Sequence, residues 1–491
     1  MRFIFLGLAI LSYMPVEAQK HHFSYQIETT GTVASGSYTP LWLTANRYGM
    51  GANVPHNGYL RAGAVYHKNW NKNWNIQAGL DIATGIQTPS ACWIQQAYFD
   101  IAWKQLQLSI GSKERTGFPL EKNERLSSGW MTEGPNTRPV PQIRAEIKEY
   151  LSFPFLNDWL AMKGHLAYGK FVDDNWQEDF AGANATYTRD VMYHSKSLMF
   201  RLGKKEKFPV EFEFGLLMAT QFAGDQLRKR TDGSSELVLD MPDNLKNYWN
   251  AFFPSGGGSD TPWGEQVNVE GNMLGSWLFA LNFYKDEWKL RVHLDHYFED
   301  HSQMFWEYGR WKDGQIGIEI TPPQNRWISA ILWEGISTKD QTGSILYDGF
   351  AGSFGDLQVS GNDNYYNHSI YNAWQHYGLG MGNPLIPGPL YNEDGSLTFR
   401  SNRIKGQHWG ISGTPNDTWC WRLLLTHVHY WGTYINPLDK VRKQFYSLAE
   451  ITYTPHWTSG WSFSLAGAMD RGNYLGNSTG GMITLRKAGI F

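Results

Sequence analysis

Several features that the sequence lacks exclude classes of protein. Its 491 residues include only two cysteines, Cys92 and Cys420, too few for a disulfide framework, although a single bridge between them stays open. Beyond residue 18 there is no apolar run long enough to form a transmembrane helix. The formal net charge of -3 carries no basic signature, so we expect no nucleic-acid partner.

The chain is rich instead in aromatic residues and glycine. It contains 23 Trp, 26 Tyr and 26 Phe, which make up 15% of the residues, and 51 Gly, with a mean hydropathy of -0.45. Few globular chains carry so many aromatic side chains, whereas transmembrane β-barrels place them in girdles at the two membrane interfaces. Glycines suit tight hairpin turns. The composition therefore favours a barrel.

The first residues have the pattern of a secretory signal peptide. Arg2 precedes an apolar run over residues 3–14 that is too short to cross a bilayer, and Val16 and Ala18 form a small-x-small motif. We expect cleavage after Ala18, which leaves residues 19–491 as one exported domain. An exported chain without apolar helices can span a membrane only as strands.

Most of the chain alternates with the period of a β-strand. Over residues 288–295, for example, Trp, Leu, Val and Leu alternate with Lys, Arg, His and Asp. A soluble sandwich would alternate too, but Trp or Tyr recurs at the segment ends, and charges of both signs lie opposite the apolar face. Since about 15 segments can be marked and bacterial barrels have even strand numbers, we expect an all-β transmembrane antiparallel barrel of about 16 to 18 strands.

The end of the chain supports closure of such a barrel. An alternating segment runs through residues 480–490 and stops on Phe491. In outer-membrane barrels the last strand pairs with the first, and its terminal aromatic lies in the interfacial girdle. An ordinary C-terminal strand that ends on Phe is the alternative.

Two long insertions interrupt the hairpin rhythm, over residues 222–275 and 341–405. Loops of this length are functional or disordered. Both are too rich in Trp and Tyr to be disordered. We expect them to fold over or into the mouth of the barrel and to occlude it.

Several segments, taken together and in this order, resemble a known family. They are SGSYTPLWLTANRYG (35–49), SSG (127–129), NTRPVPQIR (136–144), YFEDHS (297–302), TKDQTG (338–343), YYN (365–367), GNP (382–384) and NR (402–403). The chain resembles the Wzi-type capsule assembly proteins in their Bacteroidetes form, over nearly the whole exported part.

The resemblance implies a plugged outer-membrane barrel that acts as a lectin and holds capsular polysaccharide at the cell surface. The partners it implies are capsular or other surface polysaccharide, outer-membrane lipid and the polysaccharide export machinery, with the protein a monomer and without a cofactor. Proteobacterial members begin with a helical bundle that closes the periplasmic end. Because strand-like sequence starts almost at once here, we expect only a small periplasmic plug within residues 19–58.

One charged cluster surrounds the NTRPVPQIR segment. Pro139 and Pro141 hold this segment extended, so that its polar side chains project alike into the lumen. We expect a ladder that pairs arginines with glutamates across the lumen, with contact to an acidic polysaccharide as the functional alternative. The members of this expected lumen charge ladder are Arg138, Gln142, Arg144, Glu211 and Glu213.

A second cluster lies in the long insertion after residue 341. Aromatic rings stack on the C–H faces of pyranose rings, and neighbouring amides fix hydroxyl groups. The alternative is that the rings pack the loop into the barrel mouth. The candidate polysaccharide-binding residues are Asn364, Tyr365, Tyr366, Tyr371, Trp374 and Tyr377.

An open saccharide channel and an outer-membrane hydrolase are the competing functions. The sequence has no nucleophile-elbow pattern and no serine in a His/Asp frame, so we expect no enzyme. The polar cluster over residues 293–301 suggests a metal site, but strand periodicity puts His293 and His296 on opposite faces, and we expect none.

Overall fold

The computed structural model describes residues 21–267, 269–299, 304, 312–345 and 360–491. Within these residues, 18 strands form one antiparallel sheet that closes on itself. The expected signal peptide, residues 1–18, lies outside the described residues. The barrel strands are β1 (His21–Ser35), β2 (His56–Asn69), β3 (Trp74–Ile86), β4 (Cys92–Trp103), β5 (Leu106–Ser112), β6 (Gln142–Ser152), β7 (Leu160–Lys170), β8 (Met192–Leu202), β9 (Val210–Phe222), β10 (Asn272–Lys285), β11 (Trp288–Glu299), β12 (Gly314–Thr321), β13 (Ala330–Ser337), β14 (Ile404–Asn416), β15 (Trp419–Gly432), β16 (Pro437–Tyr453), β17 (Trp461–Gly472) and β18 (Ser478–Ile490).

The first and last strands close the barrel. β1 pairs with β18 in an antiparallel register that runs from Ser24 opposite Ile490 to Ser35 opposite Thr479. The backbone N–H of Phe491 donates to the carbonyl of Phe23 at 2.8 Å, and its ring stacks on Tyr25 with centroids 4.6 Å apart. The expected antiparallel barrel and its strand number are confirmed.

Alternation gives the wall an apolar outer face and a polar inner face. On β8, Leu198 is 46% exposed on the outside, whereas its neighbour Met199 is fully buried on the inside. The buried polar side chains of the inner wall include Asp81, Glu213 and Glu334. A side-chain period of two puts one face toward lipid and the other toward the lumen.

The two ends of the barrel differ in their connections. At the end that holds both chain termini the strands join through short turns, as at Asp286 and Glu287, whose positive φ angles of 46° and 67° suit a tight hairpin. The opposite end carries long connections. Outer-membrane barrels have short periplasmic turns and long extracellular loops, so the long connections mark the extracellular end.

The long connections contain the remaining elements. The helices are α1 (Leu41–Thr44), α2 (Trp176–Phe180), α3 (Leu245–Phe252) and α4 (Trp263–Val267), with 3-10 turns at Pro154–Leu156 in a periplasmic connection and Pro389–Tyr391 in an extracellular one. Strands Thr186–Arg189, Gly224–Lys229 and Ser235–Met241 form a separate small sheet. Short pairs join Thr342–Ile345 to Ser360–Asn362, Asn367–His368 to Asn372–Ala373, and Gln375–His376 to Leu379–Gly380.

The insertions differ from expectation in three ways. Residues 21–35 of the expected periplasmic plug form β1, and residues 36–55 enter the lumen from the extracellular end instead. The two expected loops span residues 223–271 and 338–403, although residues 346–359 lie outside the described residues. A further insertion over residues 113–141, read from the sequence as lumen wall, is another long extracellular segment.

No helix among the described residues is long and apolar enough to cross a membrane. Cys92 and Cys420 are both free thiols in this structure.

Candidate functional site

Three extracellular insertions meet inside the barrel and form a plug, which we define as residues 36–55, 113–141 and 363–403. Apolar side chains from all three insertions share one buried cluster with inward-facing residues of the wall. Plug members of that cluster include Trp42, Leu126, Met131, Tyr365, Tyr366, Trp374, Leu385 and Phe399. The lumen is therefore filled by packed protein at the level of the plug.

Buried polar side chains of the wall hold the second insertion. Glu334 on β13, with no exposed surface, accepts hydrogen bonds from Ser127 Oγ at 2.7 Å and from Ser128 N and Oγ at 2.7 and 2.6 Å. Lys122 pairs with Asp295 on β11 at 2.9 Å. Breaking such buried pairs leaves an unsatisfied charge, so these contacts fix the insertion in one position.

The first insertion is held by strands near the end of the chain. The backbone N–H of Leu41 donates to Asp470 Oδ2 on β17 at 2.9 Å, and Trp42 Nε1 donates to Thr426 Oγ1 on β15 at 3.1 Å. Both aromatic and aliphatic side chains of α1 are buried. This four-residue helix is thus anchored to the same side of the barrel as β1, because β17 and β15 lie two and four strands from β1 across the β1–β18 closure.

The third insertion packs on the second. Trp374 Nε1 donates to the carbonyl of Thr132 at 2.8 Å, and the hydroxyl of Tyr366 donates to the carbonyl of Met131. Gly382 lies so close that a Cβ at this position would overlap both Met131 O and the Tyr366 hydroxyl. This contact explains why the GNP segment needs glycine there.

The structure corrects the expected sugar-stacking role of four rings. Tyr365, Tyr366 and Tyr371 are each 1% exposed, and Trp374 has no exposed surface. Asn364 is held inside the plug, where its Oδ1 accepts a hydrogen bond from Asn402 at 2.6 Å. Rings that are buried on both faces cannot stack on a pyranose, so the packing alternative describes them correctly.

Tyr377 differs from these rings because it lies at the edge of the plug. Its ring centroid is 4.2 Å from the guanidinium carbon of Arg138, which lies at the same distance from the ring of Trp93 on its other side. Arg138 Nη1 donates to Ser90 Oγ at 2.9 Å. Burial raises the pKa of Tyr377 to about 12, so its hydroxyl stays protonated and donates to Asp174 at 3.2 Å.

A cavity of about 350 Å³, which we call the rim cavity, opens above this edge at the extracellular end. It is lined by residues 170–175 and 188–191 with Gln177 and Gln221, and its floor is formed by plug residues 375–377. His376 holds the floor, since its two ring nitrogens each lie 2.8 Å from a backbone oxygen, of Arg138 and of Val172.

The lining of the rim cavity is polar, and some of its charged side chains form ion pairs. Lys170 and Asp190 form an ion pair at 2.7 Å with about half of each side chain exposed. Arg189 pairs with Glu178 at 2.9 Å. Carboxylates, amides and a guanidinium at one mouth offer many hydrogen bonds to a hydroxyl-rich ligand, while the face of Tyr377 is occupied by Arg138.

The expected charge ladder is only partly present. Arg144 lies in the wall as expected, but its Nε pairs with Glu146 at 2.7 Å. Glu213 instead receives both Nη atoms of Arg291, at 2.9 and 3.1 Å. Glu211 accepts from the Tyr284 hydroxyl at 2.9 Å, and Gln142 donates to the carbonyl of Val140 at 3.2 Å. Arg138 belongs to the plug, so arginines of residues 136–144 do not pair with these two glutamates.

Sequence reasoning missed Arg291 and the rim cavity. Arg291 lies opposite Asn282 in the β10–β11 hairpin, and Glu211 lies opposite Asn282 in the β9–β10 pair. Pairing consecutive strands by their tight turns would have placed Arg291 beside the glutamates. No pattern in the sequence indicates that residues 170–175 line a cavity, because the floor of that cavity is formed by plug residues 375–377, far away in the sequence.

Among the described residues, no group of three His, Cys, Asp or Glu side chains is placed to hold a metal ion. His293 lies inside the barrel, 3.4 Å from Glu334, whereas His296 points to the outer face and is covered there. Asp300 and His301 of the same sequence cluster lie outside the described residues.

Neither a protein-family model nor a curated protein matches the sequence. Solved structures of other barrels are similar. Wzi, an outer-membrane protein involved in group 1 capsule assembly in Escherichia coli and described as a carbohydrate-binding β-barrel, is 13% identical, with a TM-score of 0.56 over 94% of this chain and 83% of that chain.

Two Pseudomonas aeruginosa proteins are also similar. OccK5 is 8% identical, with a TM-score of 0.48 over 96% of this chain and 98% of that chain. OprD is 7% identical, with a TM-score of 0.48 over 96% of this chain and 94% of that chain. At 13% identity the similarity to Wzi shows the fold alone, that of an outer-membrane β-barrel. Membership of the Wzi-type family stays a prediction from the sequence segments.

Proposed function

We propose that this protein is a plugged outer-membrane barrel that binds capsular or other surface polysaccharide at its extracellular end. The observation that carries the proposal is the rim cavity, a polar recess whose floor is the plug. A ligand that enters this recess from outside is retained at the surface, because packed side chains lie beneath it.

The plug argues against an open saccharide channel. A diffusion pore needs a continuous water-filled path. Here Leu126, Met131, Tyr365 and Trp374 are all fully buried at the centre of the barrel, with at most 1% exposure. Binding at one end of a closed barrel needs no such path, so the geometry supports a lectin-like role over conduction.

The chemistry of the rim cavity suits a glycan. Glycan hydroxyls both donate and accept hydrogen bonds, so they pair with carboxylates, amides and guanidinium groups at once. Asp174, Arg189 and Asp190 present these groups at the mouth. A cavity of about 350 Å³ is at the small end of ligand sites, which fits one or two sugar units of a longer polymer.

The similarity to Wzi supports the same proposal, since that protein is described as carbohydrate-binding. With it we propose membership of the Wzi-type family, export through cleavage of residues 1–18, a monomeric state and passage of polysaccharide from the export machinery to this site. No catalytic step forms part of the proposal.

The test is a charge-removing double substitution in the rim cavity, Asp174→Asn with Arg189→Ala. Asn at position 174 tolerates the positive φ of 49° found there. We expect less polysaccharide to be retained on cells and more to be shed, and weaker binding of purified polysaccharide to protein in lipid vesicles. A multivalent polymer amplifies a small loss at each site into a large loss of attachment.

The matched control is Asp232→Asn with Arg230→Ala. Arg230 forms an exposed ion pair with Glu236 at 3.2 Å, which resembles the Arg189–Glu178 pair but lies on the hairpin over residues 224–241. Equal retention in both double variants would place the binding site elsewhere. Unchanged retention after deletion of the whole protein would exclude polysaccharide binding as its function.

A further inference from the structure

Helix α3 in the 223–271 insertion exposes its apolar side and buries its polar side. Leu245, Trp249 and Phe253 follow one another at intervals of four residues and are 88%, 63% and 51% exposed. On the opposite side, Asn247 and Asn250 are only 2% and 5% exposed. A helix on a water-facing surface buries its apolar stripe and exposes its polar one. This helix does the opposite.

Hydrogen bonds fix the helix in this orientation. The side-chain amides of Asn247 and Asn250 donate to the two oxygens of Glu270, at 2.5 and 2.6 Å. At the N-terminus, Asn244 Oδ1 accepts from the backbone of Lys246 at 3.0 Å, and Asn247 completes a capping box. The polar side of the helix is thus bonded to the protein. The exposed face is the apolar stripe, which we define as Leu245, Trp249 and Phe253.

The helix lies against the outside of the barrel. Its residue Tyr248 packs on Phe222 and Tyr168, with ring centroids 5.1 and 5.4 Å apart, and Lys196 Nζ donates to the carbonyl of Phe252. These wall residues face outward. On β8, for example, Lys196 follows Ser195, which points inward and donates to Glu133 in the plug, so Lys196 points outward.

The wall around the helix is the lipid-facing surface of the barrel. Two residues below Lys196 on β8, Leu198 is 46% exposed, and on the neighbouring strands Leu166 and Ile143 are 38% and 57% exposed. Directly under the helix the wall is polar instead, since it carries His194, with no exposed surface, and Lys196. The helix therefore covers two polar residues and continues the apolar surface over them.

We propose that α3 is an interfacial membrane helix that lies in the outer leaflet of the outer membrane, with Leu245, Trp249 and Phe253 in contact with lipid. The lipid occupant follows from continuity, because the apolar stripe joins a wall that is already in lipid. An amphipathic helix with Trp on its apolar face is typical of the interfacial layer. The proposal is independent of polysaccharide binding, since α3 lies on the outer wall and not at the rim cavity.

The test measures the surroundings of the stripe directly. In a Cys92→Ser, Cys420→Ser background, single cysteines replace Leu245, Trp249 and Phe253 and carry a nitroxide spin label. In lipid vesicles, collisions with oxygen report lipid and collisions with a water-soluble nickel complex report water. Leu198→Cys on the lipid-facing wall and Ser234→Cys at an exposed hairpin tip serve as the two references.

We expect the oxygen-to-nickel ratio at all three stripe positions to be several-fold above that of Ser234 and close to that of Leu198. Leu245 is so exposed that its substitution leaves the fold intact, and an unheated gel shift verifies a folded barrel for every variant. A ratio equal to that of Ser234 would overturn the proposal. A nickel-accessible stripe that becomes protected only when purified polysaccharide is added would overturn it as well, in favour of a glycan contact.

Discussion

Glu334 on the barrel wall accepts hydrogen bonds from both the backbone N–H and the hydroxyl of Ser128 in the plug, at 2.7 and 2.6 Å. The carboxylate has no exposed surface. A buried acceptor with several donors can be replaced only at the cost of leaving donors unpaired. A substitution at Glu334 therefore weakens the attachment of the plug to the wall.

Glu334→Gln should loosen the plug. The amide cannot accept at both of its terminal atoms, so at least one of the donors on Ser127 and Ser128 loses its acceptor, at a cost of about 1 to 3 kcal/mol. We expect a lower unfolding midpoint and steady conductance in planar bilayers, whereas we expect the parent protein to conduct little. The control is Glu319→Gln on β12, since Glu319 is partly exposed and its contact with Asn123 needs only an acceptor. Two variants with the same conductance would contradict the prediction.

Trp374→Ala should destabilise the plug. The ring is completely buried, and removing it costs about 3 to 5 kcal/mol through lost burial and the cavity left behind. Trp457→Ala, at a position that is 79% exposed, should change stability by no more than about 0.5 kcal/mol. Denaturant unfolding of both variants checks the difference. Lost polysaccharide retention in Trp374→Ala would then report plug unfolding and not a lost sugar contact.

Deletion of Phe491 should impair assembly of the barrel. The deletion removes a backbone hydrogen bond to Phe23 and a stacked ring on Tyr25, both at the seam that closes the sheet. We expect a smaller fraction of heat-modifiable, folded protein in the outer membrane. Phe491→Tyr keeps both contacts and should assemble normally. Full assembly of the deletion variant would show that the seam does not need its terminal aromatic.

Asp313 should make stability depend on pH. It lies in an extracellular connection, accepts from the backbone of Gln341 at 2.6 Å and from the Tyr365 hydroxyl at 3.2 Å, and burial raises its pKa from 3.8 to about 6. The folded state then binds the proton more tightly than the unfolded state. Its stabilising contribution is complete below about pH 4 and is lost as the pH rises through 6, about 3 kcal/mol in all.

Asp313→Asn separates this effect from other titrating groups. Between pH 4 and pH 7 the parent protein should lose about 2 kcal/mol of unfolding free energy relative to the variant, which carries no titrating group at this position. Unfolding midpoints in denaturant at the two pH values check this. Parallel pH dependence in the two proteins would mean that the Asp313 carboxyl keeps its ordinary pKa.

The wall could be predicted from the sequence because its determinants are local. A period of two assigns each side chain to lipid or lumen, and tight turns such as the one at Asp286 and Glu287 join consecutive strands. The plug could not be predicted, because its contacts join distant segments. Trp374 finds its partner at Thr132, and an aromatic ring beside asparagines is equally typical of a sugar site and of a packed loop.

The hydrogen bond between Leu41 and Asp470 also constrains the order of assembly. It joins the first extracellular connection to the next-to-last strand, 429 residues later. The sheet closes only when β1 pairs with β18. The final position of the connection after β1 therefore depends on a strand that lies near the other end of the chain. Until the last two strands are in place, β1 has an unpaired edge and the backbone N–H of Leu41 lacks its acceptor on β17.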